Sequence, residues 1–83
     1  MNTKNTNQVT IIKWNATETG AYVTGILGVY ADYNKAAHEL MVARDSLVQN
    51  GYTIIKRAEK EVILKNQVND RTMQMYLETH KIQ

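Results

Sequence analysis

The sequence predicts an α+β fold, a largely antiparallel sheet of four to five strands with one helix packed on one face, in the order β-β-α-β-β-β. Three observations carry this. Apolar residues alternate at period two on both sides of a single stretch at period 3.6. That stretch has a start signal in Asp32 and a stop signal in Asn50-Gly51. The segments around it are short, rich in β-branched residues and separated by short turns such as Asn15–Gly20 and Gln67–Asp70.

The helix organises the rest. Asp32 follows the apolar run Ile26, Leu27, Val29 and Tyr30, where its carboxylate can accept from free N–H groups of a first turn. Ala36, Leu40, Ala43 and Leu47 recur at i, i+4, i+7 and i+11, so they share one stripe. Gly51 can take the left-handed conformation that closes a helix. The spacing predicts a helix over Tyr33–Gln49, about 25 Å long. Ala37, Met41 and Val48 form a flank beside the stripe, with Val42 expected further round towards solvent.

Before the helix, residues 1–8 are polar and Asn/Thr-rich and are expected to be a frayed tail, leaving one domain over residues 9–83. Val9–Trp14, VTIIKW, reads as the first strand, Asn15–Gly20 as a turn and Ala21–Tyr30 as the second strand of an antiparallel hairpin. Gly25 and Gly28 inside that strand mark a bulge or a close backbone approach in preference to a ligand cradle. After the helix, Tyr52–Arg57 and Glu61–Asn66 read as strands, with a turn at Gln67–Asp70. In Thr72–Ile82, Met73, Met75 and Leu77 alternate with Gln74, Tyr76 and Glu78, which favours a fifth strand over the rival reading, a short helix capped by Asp70.

Such a sheet has one face under the helix and one uncovered. Alternation in the second strand assigns Val23, Leu27 and Val29 to the helix side and Tyr22, Thr24, Ile26 and Tyr30 to the other, while Ile12 and Trp14 share a parity. The uncovered face is expected to be aromatic, apolar at its centre and fringed with Lys and Arg. A large wet apolar patch invites a cover. Trp14, Tyr22, Ile26 and Tyr30, with Met41 on the helix flank, are therefore the expected interface residues, and self-association as a homodimer or larger assembly is the expected partnership.

Composition narrows the chemistry. There are 43% hydrophobic and 22% charged residues, ordinary for a globular domain, and no Cys, so disulfides and thiolate metal sites are excluded. No apolar run reaches the length of a membrane span, no secretory h-region opens the chain, and a cytoplasmic location is expected. The net charge of +2 excludes a phosphate-backbone mimic, which would be strongly acidic. The sole Ser, Ser46, falls inside the helix, and His38 and His80 have no ligand spacing, so no catalytic or metal centre and no cofactor is expected. The alternative to a protein-binding role is a nucleic-acid or nucleotide-binding face in which the aromatics stack bases and Lys56, Arg57 and Lys65 neutralise phosphates.

At Gly28-Val29-Tyr30-Ala31-Asp32-Tyr33-Asn34-Lys35-Ala36, followed by the helix and Gly51-Tyr52, the chain resembles small phage or mobile-element accessory proteins of β-β-α-β-β type. The resemblance covers Val23 to Leu64. It implies a cytoplasmic accessory protein that binds and inhibits a host protein or sequesters a small signal molecule, often as an oligomer, and it carries over no site residue.

Overall fold

The computed structural model describes residues 7–82. Five strands, β1 (Gln8–Glu18), β2 (Ala21–Tyr30), β3 (Tyr52–Ala58), β4 (Glu61–Asn66) and β5 (Thr72–Lys81), form one antiparallel sheet in the order β2-β1-β5-β4-β3. One helix, α1 (Tyr33–Gln49), leaves the edge strand β2, crosses one face and returns to the opposite edge strand β3. The α+β reading holds, and the last segment is the strand its alternation favoured. Of the expected N-terminal tail, residues 1–6 lie outside the described residues, whereas Gln8 already belongs to β1.

The helix ends are built as the sequence indicates. Asp32 Oδ1 accepts from the Asn34 N–H at 2.9 Å, and Gly51, at φ 95°, donates its N–H to the Val48 carbonyl at 3.2 Å. Asn50 adds a side-chain bond from Nδ2 to the Ser46 carbonyl at 2.7 Å. Ala36 and Leu40 are buried against Ile12 of β1, Val62 and Leu64 of β4, and Met75 and Leu77 of β5. The core therefore lies between the helix and the middle of the sheet, with Ala43 and Leu47 packed at its margin.

The first hairpin is longer than expected. Strand β1 runs on through Asn15–Glu18, and only Thr19-Gly20 turn, with Gly20 at φ 75°. That register sets Trp14 opposite Gly25. A second turn, between β4 and β5, is organised by buried Asn66, whose Oδ1 accepts from Val68 N–H at 2.8 Å and Asn69 N–H at 3.2 Å. Asp70 there takes a left-handed conformation at φ 58° and pairs with Lys65 at 3.1 Å, so it shapes a turn and caps no helix.

Both edge strands carry a bulge, and the bulges decide which residues face the helix. In β2, Ile12 pairs with Gly28 and Lys13 with Ile26, leaving Leu27 extra; in β3, Ile55 is extra between Ile54 and Lys56. One extra residue reverses the alternation beyond it. Hence Tyr30, expected on the open face, packs against the core on the helix side, and Val29, expected under the helix, is exposed on the open side. Trp14 does share its parity with Ile12, but the face is the helix face, where it joins the core margin.

Candidate functional site

The open face differs from the expected apolar centre. Its middle, beside Tyr76 and Ile63, carries a set of paired polar groups. Lys13 Nζ lies 2.7 Å from Glu78 Oε1, which also meets His80 Nε2 at 2.8 Å. Asn15 Nδ2 donates to Gln74 Oε1 at 3.0 Å, Gln74 donates in turn to Glu61, and Glu61 is 3.5 Å from Lys56. The hydrogen bond from Lys13, reinforced by His80, holds the Glu78 carboxyl below its usual value, and the same bond raises the Lys13 ammonium. These groups pair with one another across β1, β5, β4 and β3.

The apolar surface lies instead at the β2 edge. Tyr22 is 67% exposed, Ile26 and Val29 59%, and Val23 and Leu27 51%. Ala21–Tyr30 contains no Asp, Glu, Lys, Arg or Pro, the usual guards of a free edge. The opposite edge, β3, carries Lys56 and Arg57. The Leu27 bulge distorts the end of β2 nearest the helix, so the regular free edge is Ala21–Ile26.

Beside this edge, on the helix side, runs a groove. It exists because β2 offers Gly25 and Gly28 there, and two aromatic rings lie over the bare backbone. A Cβ at Gly25 would sit 2.8 Å from the Trp14 Nε1, and one at Gly28 would sit 2.8 Å from the Tyr30 ring. The sequence reading of these glycines as a close approach is therefore correct. The main part of the groove, about 430 Å³, has Trp14, Met73 and Met75 as its floor and Leu27, Ala43 and Leu47 as its walls. A smaller part of about 160 Å³ shares Leu27, Ala43 and Ser46 and continues past Val42 to Tyr30 and Glu39. Val42 is exposed, as expected, and also borders the groove.

Arg71 stands at one end of the groove. Its Nε is buried with no hydrogen-bond partner, and its guanidinium joins none of the ion pairs formed by the described residues. A buried donor left unpaired costs about 1–3 kcal/mol. Met41, by contrast, lies on the far flank of α1 beside Arg57, Ala58 and Val62, away from the β2 edge.

No family model, curated protein or solved structure matches this chain. Among the described residues no helix is long and apolar enough to cross a membrane, and no three His, Asp or Glu side chains are grouped to hold a metal ion.

Of the expected interface set, the structure brings Tyr22 and Ile26 together on the open side of the β2 edge and sends Trp14 and Tyr30 to the groove behind it. The aromatic and basic groups of the nucleic-acid alternative are divided. Lys56 and Lys65 lie on the open face, each beside a carboxylate, whereas Arg57 pairs in register with Val62 on the helix side. Sequence reasoning passed over Leu27, Val42 and Arg71 as site residues. Leu27, read as facing the helix, and Val42, read as facing solvent, carry an apolar signal that ties neither to a site, and Arg71, at the end of a turn, carries none.

Proposed function

We propose that the protein is a non-enzymatic interaction protein that works as a homodimer, with the β2 edge as its seam. The observation that carries this reading is the uncharged, exposed edge over Ala21–Ile26, which presents a row of backbone N–H and C=O groups without a guard. Two copies of one strand pair antiparallel about a two-fold axis, giving the same patch on both partners. With Thr24 at the axis, Tyr22 of each copy meets Ile26 of the other on the open face, and Val23 meets Gly25 on the helix face. Aromatic with β-branched is a favourable cross-strand pair. Ten strands then form one continuous sheet.

The paired polar groups of the open face support a binding role over a catalytic one, because they are spent on each other. In this reading the dimer is the unit that occupies a host protein's surface or holds a small ligand, in the manner of the phage and mobile-element accessory proteins that Gly28–Ala36 resembles.

Size-exclusion chromatography with light scattering tests the seam. Wild type is expected at twice the chain mass and Ile26→Lys at the chain mass, with unchanged circular dichroism because Ile26 does not contribute to the core. Since the chain has no Cys, Thr24→Cys should form a single intermolecular disulfide on mild oxidation. A wild-type monomer at tens of micromolar, or an Ile26→Lys dimer, overturns the reading.

A further inference from the structure

The groove between α1 and β2 has a polarity that its apolar lining alone does not require. Trp14, Met73 and Met75 form a floor suited to a flexible hydrocarbon chain, since thioethers adapt their shape to what they touch. At one end stands Arg71, whose guanidinium joins none of the ion pairs formed by the described residues; at the other stands Glu39. A positive end, an apolar run and a negative end select a ligand by charge and direction. Arg presents a planar fork of donors that matches a carboxylate, and a charge-assisted pair is among the stronger hydrogen bonds available. Glu39 repels a second anion, which fixes the ligand's orientation.

We infer that this groove is a binding site for a small linear amphiphile with one carboxylate, its head on Arg71 and its tail running over Trp14 and the two methionines towards Leu27 and Tyr30. The length of the site follows from the helix that walls it. Glu39 and Ser46 are seven residues apart, hence about 10.5 Å along the axis, the reach of a chain of about eight methylene groups. The groove volume of about 430 Å³ lies within the range of small-molecule sites. The ligand's tail would lie against the Trp14 and Tyr30 rings that cover Gly25 and Gly28. Every contact comes from one chain, so the site does not depend on the pairing of β2.

Trp14 is the sole Trp and lies on the groove floor, which makes its fluorescence a direct reporter. Wild type and Arg71→Gln should be titrated with decanoate, kept below its micellar concentration, and with decanol as the matched uncharged chain. In wild type, decanoate should give a saturable change and bind about tenfold or more tightly than decanol, the increment expected of one charge-assisted pair. In Arg71→Gln the preference should vanish while decanol binding stays as it was. Should Arg71→Gln fail to fold, as judged by circular dichroism, the decanoate-to-decanol ratio on wild type still decides. The absence of a saturable change with decanoate, equal binding of the two ligands to wild type, or an unaltered preference in a folded Arg71→Gln each overturns the inference.

Discussion

Replacing Gly25 with Ala reverses a familiar sign. In the interior of a strand, glycine costs roughly 0.5–1 kcal/mol relative to alanine, so the substitution alone should stabilise. Here the new Cβ would lie 2.8 Å from Trp14 Nε1 and 2.9 Å from both Cε2 and Cζ2. Carbon atoms rest no closer than about 3.5 Å, so the indole must retreat by about 0.7 Å from an edge of three atoms. Overpacking of this kind costs about 1–3 kcal/mol. Subtracting the propensity gain leaves Gly25→Ala with a net cost of about 0–2.5 kcal/mol. In a Trp14→Leu background the clash is gone and the same change should be neutral or stabilising by up to about 1 kcal/mol. The assay is urea unfolding of the four proteins, followed by far-ultraviolet circular dichroism at one protein concentration, so that the deleted Trp does not remove the signal and mass action is constant. Additivity of the two substitutions within about 0.5 kcal/mol would refute the stacking of the indole on Gly25.

Two further outcomes follow from the polar groups. Asn66→Ala strips the acceptor from the Val68 and Asn69 amides and should cost about 1–3 kcal/mol, with faster hydrogen exchange at both; an effect below about 0.5 kcal/mol would show that the turn stands without it. The Glu78 carboxyl should titrate by NMR below its ordinary value of about 4.5 and move upward in Lys13→Met, and a midpoint that does not move would remove the ion pair from solution. Since the Glu78 value is depressed, its contribution is present above the ordinary carboxylate range and is lost as pH falls through the folded value. The raised Lys13 ammonium contributes below its ordinary 10.5 and loses that contribution as pH climbs past it. Both groups are solvent-exposed, so the effect on stability is slight and fades with salt.

The order of elements, the helix and both of its caps were legible because each has a local cause. Asp32, the Ala36–Leu47 stripe and Asn50-Gly51 act within a few residues of themselves. The faces were legible only as far as the first bulge. Nothing in the composition of GILGVY says that Leu27 is the supernumerary residue, yet that one residue moves Tyr30 from the open face to the groove. The place of Trp14 required the hairpin register, which hangs on a two-residue turn at Thr19-Gly20 inside what reads as a six-residue turn. Arg71 could not be found at all from sequence. Its isolation is a property of what β1, β5 and α1 bring near it, which only the assembled fold defines.

The position of β5 governs how this fold can be reached. Among the described elements it is the last to be synthesised, yet it lies at the centre, between β1 and β4. Its bonds to β1 join residues far apart in the chain, 69 positions for Thr10 with Thr79 and 59 for Asn15 with Gln74. Until it arrives, the β1–β2 hairpin and the β3–β4 hairpin each expose an inner edge as well as an outer one, and neither can complete the core beneath α1. Loops of this size are closed late and slowly. Folding should therefore wait for β5, in a single cooperative step with no stable intermediate built from the elements before it. A second molecule's β5 can fill the same slot, so high concentration during refolding favours strand-exchanged pairs distinct from any formed at the outer edge.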